Sequence, residues 1–277
     1  MRVYGRSMGV FSSVDALSSA DATAEGATVG SAWAAGDGSL IAHLRSRQPG
    51  LHGEDGAETW GLAWAALEWL EREVQPGMRT LETGSGASTI VFAARGALHE
   101  AVTPDPGEET RIRATCASLG IDSTGVQFRI GPSHEVLPGL DGHPLDLVLI
   151  DGAHGFPYPV IDWWAVAPRV REGGRVLLDD AYMPPVAMIL DGLRGDPGWE
   201  VEGAVGYRAV ILRRTGSGLP LFDWDGGRVG GRMTFRYLPP GRRLAASARH
   251  RFFSTPLGLR IVELVRRDAG LRFRKTG

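Results

Sequence analysis

The stretch RTLETGSGASTIVFA, Arg79 to Ala93, places a turn of glycine and serine between two apolar runs. The first run, MRTLET, predicts a strand, and the second, STIVFAARG, predicts a helix. Gly84 and Gly86 permit a tight turn and a close approach of another group to the backbone. The helix that follows presents free N–H groups at the same point. We therefore expect a ligand to bind across this loop.

Strands and helices alternate along the region that follows. The predicted strands after MRTLET are LHEAVTPD, VQFRIG, LDLVLIDG, RVLLDD and two that meet near Gly206 in WEVEGAVGYRAVILRR. Nearly continuous apolar strands such as LDLVLI indicate a sheet that is covered on both faces. The pattern predicts an α/β fold with a doubly wound, Rossmann-like sheet of seven strands, mostly parallel, that ends in a C-terminal antiparallel hairpin.

Four segments are predicted along the 277 residues. Residues 1–38 are small and polar with little periodicity, and we expect them to be flexible. Residues 39–77 form a helical cap region, in which ETWGLAWAALEWLEREV predicts an amphipathic helix. Residues 78–214 contain the sheet, and residues 215–277 form a basic extension.

The basic extension raises the question of binding partners. The whole chain has a formal net charge of −2, but its C-terminal end is rich in arginine. Such a segment can bind nucleic acid or anionic lipid. Because no nucleic-acid-binding motif accompanies it, a solvated appendage is the favoured interpretation, and no nucleic acid is expected. The oligomeric state is left open.

The single cysteine, Cys116, excludes a disulfide within the chain and fits a reducing compartment. Its helical setting, RIRATCASLG, favours a buried packing residue over a nucleophile. No run approaches the roughly 18 apolar residues of a membrane span. The N-terminal segment lacks the apolar core of a signal peptide. A cytoplasmic protein is therefore expected.

Acidic or small residues end the predicted parallel strands. In folds of this class, ligands bind at the carboxyl ends of the strands. One carboxylate at a strand end is unremarkable, whereas a set of them along one rim indicates a site. The set is Glu82, Asp105, Gly131, Asp151 and Asp179–Asp180.

The spacing around the glycine loop indicates a nucleoside. Asp105 follows the next strand, where a carboxylate can accept hydrogen bonds from ribose hydroxyls. A dinucleotide site uses G-x-G-x-x-G, but GSGAST has Thr89 at the third glycine position. Glu82 before the loop is a poor neighbour for a pyrophosphate and a tolerable one for an ammonium group. These features favour a cofactor with a cationic amino-acid end over NAD.

The motifs LETGSGAST, VTPD, LVLIDGAH and GGRVLLDD resemble the successive motifs of class I S-adenosylmethionine (SAM)-dependent methyltransferases. They resemble more narrowly the small-molecule O-methyltransferase-like group with an I-D-G-x-H strand end, over about Glu58 to Arg214. The resemblance implies SAM as cofactor and a small-molecule methyl acceptor. It also implies the cofactor contacts. The backbone of Gly84, Ser85 and Gly86, with Ser88, would surround the methionine part, and Glu82 would approach its amino group. Asp105 would bind the ribose, and Gly131 to Ser133 would flank the adenine.

Methyl transfer requires an acceptor held in line with the sulfonium methyl, usually after loss of its proton. Asp151, Asp179 and Asp180 are expected to be neighbours, and such carboxylates repel unless they are protonated or bridged by a cation. Mg²⁺ or another divalent cation suits an oxygen-rich site of this kind. The alternative is that Asp179 and Asp180 cap the following turn.

A resemblance to the catechol type of metal-dependent O-methyltransferase extends these assignments. It implies Asp151 and Asp180 as metal ligands, with Asp179 compensating for Ala181 where an asparagine is expected. His154 stands where that family has its lysine base, and histidine titrates near neutrality. The predicted catalytic residues are therefore Asp151 and His154. A structural hydrogen bond or a cofactor contact is the alternative for His154.

Several other assignments stay open at this level. His52, in GLHGEDG, belongs either to a lid over the site or to a solvated loop, and the solvated loop is favoured. Of the adjacent Trp163 and Trp164, one is expected in the core and the other at a pocket. A NAD(P)-dependent oxidoreductase and a non-catalytic nucleoside-cofactor-binding protein are the alternative functions.

Overall fold

The computed structural model describes residues 39–53, 61–193, 196–216, 239–253, 255–258 and 260–261. The strands are β1 (Arg79–Thr83), β2 (Leu98–Thr103), β3 (Val126–Ile130), β4 (Leu145–Ile150), β5 (Val170–Leu178), β6 (Trp199–Val205) and β7 (Ala209–Arg214). The helices are α1 (Leu40–Arg47), α2 (Trp64–Glu73), α3 (Ala87–Ala94), α4 (Pro106–Ser118), α5 (Ser133–Val136), α6 (Tyr158–Val166), α7 (Pro184–Leu193) and α8 (Pro240–Phe253).

The strands form one sheet in the order β3-β2-β1-β4-β5-β7-β6. The first five strands are parallel, whereas β7 runs antiparallel to both β5 and β6. The strand order reverses at β1, which lies between β2 and β4, and a crevice for ligands forms at such a point. The predicted mostly parallel, seven-stranded sheet with its antiparallel hairpin is confirmed.

Each face of the sheet is covered by helices. One face packs on α2, α3 and α4, and the other packs on α6 and α7. Cys116 is fully buried in the first layer, and this burial raises the pKa of its thiol to about 11. Trp163 is fully buried in the second layer, whereas Trp164 is 57% exposed. The cysteine is thus a packing residue, and one tryptophan of the pair is in the core, as predicted.

The helix predicted from Glu58 onward begins only at Trp64 in the described residues. Ala63 has an extended backbone with ψ of 140°, and the preceding Gly61 is a weak helix former. The helix buries Ala66, Leu67 and Leu70 against α3 and the sheet. The predictions for residues 1–38, and for most of 215–277, lie outside the described residues. Among the helices that are described, none combines the length and apolarity needed to span a bilayer.

Candidate active site at the carboxyl ends of the strands

Backbone hydrogen bonds keep the strand ends in one row. Gly84 N donates to Val102 O at 2.8 Å, and Asp151 N donates to Thr83 O at 3.1 Å. Asp179 N likewise donates to Ile150 O at 3.1 Å. The residues that follow β1, β4 and β5 are therefore held beside the neighbouring strand. The structure brings the predicted rim together.

The glycine loop leaves no room for side chains at its two glycines. Gly84 has φ of 90°, and a Cβ there would lie 2.6 Å from the carbonyl oxygen of Asp151. A Cβ on Gly86 would lie 2.9 Å from Cε1 of His52. Gly84 thus permits contact with the loop after β4, and Gly86 permits contact with the segment before α2.

Glu82 is buried beneath the glycine loop and is 1% exposed. Its carboxylate accepts hydrogen bonds from Ser88 Oγ at 2.6 Å, from Thr89 Oγ1, and from His99 Nε2 at 3.1 Å. His99 is in turn paired with Thr80 Oγ1 at 2.8 Å. These contacts fix the start of α3 relative to β1 and β2. Glu82 therefore braces the loop, and its contact with a cofactor amino group stays a prediction.

Asp105 begins helix α4 as its N-cap. One carboxylate oxygen accepts from Gly107 N at 2.8 Å, and the other accepts from Arg111 Nη2 at 2.6 Å. The Arg111 hydrogen bond, followed by that from Gly107, holds the pKa of Asp105 below its usual value. The side chain is 41% exposed. Asp105 is the residue predicted to bind the ribose, and both of its carboxylate oxygens thus already have partners at the start of α4.

Glu108, one helical turn later, points back into the site and was missed by sequence reasoning. It accepts hydrogen bonds from Thr103 Oγ1 at 2.6 Å and from Ser85 Oγ, in the glycine loop, at 2.5 Å. Burial raises the pKa of Glu108, but hydrogen bonds from His52, Ser85 and Thr103 outweigh this effect and hold it below its usual value. The available signal was its spacing of three from Asp105, which puts both carboxylates on one side of α4.

His52 is not the solvated loop residue that the sequence favoured. Its side chain is 18% exposed, and Nδ1 lies 2.8 Å from Glu108 Oε1. The ring packs on Gly86, which has no side chain to exclude it. The preceding carbonyl, Leu51 O, accepts a hydrogen bond from Arg111 Nε at 2.8 Å. The glycine loop and the carboxylate of Glu108 together explain why the imidazole is held at the site.

The predicted catalytic residues also meet. His154 lies with Nε2 3.9 Å from Asp151 Oδ1 and Nδ1 3.4 Å from Asp180 Oδ2. Burial and the neighbouring carboxylates of Asp179, Glu82 and Asp180 raise the pKa of Asp151 well above its usual value. An imidazole between carboxylates, at a strand end next to the glycine loop, is suited to proton transfer.

Arg208 completes this cluster and was not anticipated from the sequence. It lies in the turn between β6 and β7, and its Nη2 is 2.7 Å from Asp179 Oδ2 and 2.9 Å from Asp180 Oδ1. Ala181 N donates to the carbonyl oxygen of Arg208 at 2.7 Å, so the backbone is held as well. Asp180 has a positive φ of 49°, which is uncommon for a residue with a side chain.

The predicted metal set does not fit a divalent cation in this arrangement. Asp179 and Asp180 are paired with the guanidinium of Arg208, whose positive charge would repel a metal ion. Ala181 offers no side-chain donor at the position where the resemblance predicts one. Within the described ranges, no group of three histidine, cysteine, aspartate or glutamate residues has a geometry that could hold a metal ion.

A buried carboxylate lies beneath the loop after β4. Asp162 on α6 is fully buried, and a Cβ on Gly152 would lie 3.5 Å from its Oδ2. Its oxygens make no well-formed hydrogen bond to the described residues. Burial raises the pKa of Asp162, although the nearby hydroxyls of Ser133 and Thr83 oppose this. Asp162 was also missed, because nothing in its apolar helix distinguishes it from a surface acid.

The predicted adenine segment follows β3. Gly131 has φ of 148°, and a Cβ there would lie 2.9 Å from Val136 Cγ2. Gly131 N donates to Thr103 O at 2.8 Å, so the segment stays beside the end of β2. Ser133 begins α5. The structure thus places Gly131 and Ser133 on the same rim as the glycine loop.

Residues 81–181 match the model of a protein family that is described as a methyltransferase domain. The match begins in β1 and ends immediately after the paired aspartates that follow β5. It therefore includes the glycine loop, Glu108, Asp151 and His154. No curated protein matches the chain in sequence.

Solved structures share the fold. One is the cofactor-bound Rv0187 from MTB, 22% identical, with a TM-score of 0.52 over 64% of this chain and 92% of that chain. Another is the O-methyltransferase TomG from Streptomyces achromogenes, involved in tomaymycin synthesis and solved in complex with SAM. It is 21% identical, with a TM-score of 0.50 over 62% of this chain and 89% of that chain. At these identities the likeness is one of fold.

Proposed function

We propose that this protein, whose residues 81–181 match the model of a methyltransferase domain, is a class I SAM-dependent methyltransferase that transfers a methyl group from SAM to an oxygen atom of a small molecule. The observation that carries the proposal is the contact between the two loops of the site. Because Gly84 lies so close to the carbonyl oxygen of Asp151, a methyl donor bound along the glycine loop would lie next to Asp151 and His154. TomG, which shares the fold, is an O-methyltransferase in complex with SAM.

The methionine part of SAM is proposed to lie along the glycine loop, on the backbone of Gly84 to Gly86 and beside Ser88. Free N–H groups at the start of α3 suit its carboxylate. Glu82, which lies below this loop, is proposed to balance the charge of the cofactor's ammonium group. Gly131 and Ser133 are proposed to flank the adenine.

Glu108 is proposed to join Asp105 in binding the ribose. Both oxygens of Asp105 are used at the start of α4, whereas Glu108 is in direct contact with the glycine loop through Ser85. A carboxylate offers about four acceptor positions. Asp105 accepts two hydrogen bonds and Glu108 accepts three, so each retains capacity for a sugar hydroxyl. His52 fixes the carboxylate of Glu108 from the outer side.

In the proposed reaction, the acceptor hydroxyl lies between the sulfonium methyl and His154. The acceptor oxygen forms a bond to the methyl carbon as the carbon–sulfur bond breaks, and S-adenosylhomocysteine leaves. His154 accepts the hydroxyl proton, and Asp151 holds the imidazole in place. Holding the reacting atoms in line accounts for a large part of the acceleration expected in such a transfer.

Calorimetric titration with SAM and with S-adenosylhomocysteine tests the cofactor assignment. Micromolar binding of both is expected, and no measurable heat with either would remove the proposal. Incubation with methyl-labelled SAM and panels of phenols, sugars and amines then tests the acceptor class. Label that appears only on amines would contradict transfer to oxygen. A rise in melting temperature with NAD(H) but not with SAM would favour the oxidoreductase alternative.

A further inference from the structure

The carboxylates that follow β5 are paired with Arg208, in the turn between β6 and β7. The side chains of Asp179 and Asp180 are 0% and 8% exposed, and both are within 2.9 Å of Arg208 Nη2. The carbonyl oxygen of Arg208 accepts the backbone N–H of Ala181 at 2.7 Å. Arg208 is thus held in place both through its guanidinium and through its backbone carbonyl.

This cluster needs a positive charge. Asp179 and Asp180 are buried, the side chain of the neighbouring Asp151 is 20% exposed, and like charges that lie together in this way repel. A guanidinium is charged at every relevant pH and contacts carboxylates through a fork of N–H groups. Mg²⁺ requires oxygen ligands at about 2.0–2.1 Å in octahedral geometry. Arg208 occupies one carboxylate oxygen of Asp179 and one of Asp180, and its positive charge opposes a metal ion at the same place.

We infer that Arg208 is a built-in cation that takes the place of a divalent metal in the acceptor site. The inference rests on the proposed function, because that function makes this cluster the acceptor site. The pairing of Arg208 with the two aspartates does not depend on it. Arg208 is a positioning residue: through Asp179 and Asp180 it holds the segment after β5 beside His154. It also reduces the negative charge near an acceptor oxygen that loses its proton.

One nitrogen of the Arg208 guanidinium lacks a partner in the cluster. Nε of Arg208 is buried and has no hydrogen-bond partner among the described residues. A buried donor without a partner is uncommon and calls for an explanation beyond packing.

The test compares the full-length protein with two variants, Arg208→Met and Arg208→Lys. Binding of Mn²⁺ is measured by electron paramagnetic resonance, and methyl transfer is measured with and without a chelator. The wild type should bind no Mn²⁺ at micromolar concentration, and the chelator should leave its rate unchanged. Arg208→Met should gain Mn²⁺ binding and lose at least about tenfold in rate, with partial recovery in Mg²⁺. Arg208→Lys retains the charge and should bind no Mn²⁺.

Arg213→Met is the matched control, because Arg213 lies on β7 and pairs with Glu200 at the surface. It should change neither Mn²⁺ binding nor rate. Stoichiometric Mn²⁺ binding by the wild type, a chelator-sensitive rate, or an Arg208→Met variant that neither loses activity nor gains Mn²⁺ would overturn the inference. If Arg208→Met does not fold, the wild-type measurements still decide the matter. If the protein does not bind SAM, the proposed function fails, but the Mn²⁺ comparison remains valid.

Discussion

Gly84 and Asp151 approach so closely that a β-carbon at position 84 would lie 2.6 Å from the carbonyl oxygen of Asp151. Two loops that are far apart in the chain therefore share one wall of the site. The loop after β1 is the predicted cofactor loop, and the loop after β4 carries the predicted catalytic pair. We therefore expect a substitution at Gly84 to disturb both the predicted cofactor loop and the predicted catalytic pair.

Gly84→Ala should weaken SAM binding and destabilise the fold, because the substitution introduces both a clash and a strained φ of 90°. Gly120→Ala is the control that separates backbone strain from the clash. Gly120 also has a positive φ, of 67°, but an added β-carbon there would meet nothing within 4 Å. The control should lose about 1 kcal/mol of unfolding free energy and keep its affinity for SAM. Urea unfolding and calorimetric titration measure the two quantities. Equal affinities for SAM in both variants would argue against the shared wall.

Glu108→Gln should reduce the affinity for SAM by about tenfold, or about 1.4 kcal/mol. The reason is the loss of the charged acceptor that Ser85, Thr103 and His52 hold beside the glycine loop. Glu109→Gln is the control, because Glu109 is the next residue on α4 and pairs outward with Arg113. Titration with SAM should separate them. Unchanged affinity in Glu108→Gln would leave the ribose to Asp105 alone.

The stability of the protein should fall in acid partly through Glu108. Its pKa in the folded state lies below the ordinary value of 4.5, so the folded state binds fewer protons than the unfolded state. This contribution is present above pH 4.5 and is lost as the pH falls through the folded-state pKa. Urea unfolding from pH 6 to pH 3 should therefore show a shallower acid loss in Glu108→Gln than in Glu109→Gln. Identical slopes would mean that Glu108 is not stabilised as an anion.

Substitution of the catalytic pair should separate activity from stability. His154→Gln should lower kcat by about 10²-fold or more, as expected for loss of a general base, with little change in SAM affinity. Asp151→Asn should also lower kcat, but the melting temperature should not fall, because the neighbouring carboxylates of Asp179, Glu82 and Asp180 disfavour a charge on Asp151. His143→Gln, at an exposed loop, is the control and should retain full rate. Full activity in both site variants would support a binding protein without catalysis.

The sheet and its rim could be predicted from the sequence because they depend on local patterns. The apolar run LDLVLI and the alternation of strands with helices indicate a parallel sheet, and parallel strands end on one side. The row from Glu82 to Asp180 follows from that rule. Burial of Cys116 was predicted from its helical setting, and burial of one of the adjacent Trp163 and Trp164 was predicted without deciding which of the two it is.

The site residues that the sequence either did not identify or, for His52, favoured as solvated lie outside the strand ends. His52 lies in a segment before α2, Glu108 lies in the first turn of α4, and Arg208 lies in the turn before β7. Their positions depend on how those elements pack, which local periodicity does not encode. The sequence also placed three carboxylates together correctly, but the charge that balances two of them comes from an arginine more than twenty residues later.

The segment before α2 is bound to α4 at two points. Arg111 donates a hydrogen bond to Leu51 O, and His52 pairs with Glu108. The catalytic unit therefore includes this segment. A recombinant fragment trimmed to the sheet at Met78 would keep every strand and every family motif. It would nevertheless open one side of the glycine loop to solvent and leave Glu108 without its imidazole partner. Truncation for crystallisation or for activity assays should therefore preserve the chain from Ser39 onward.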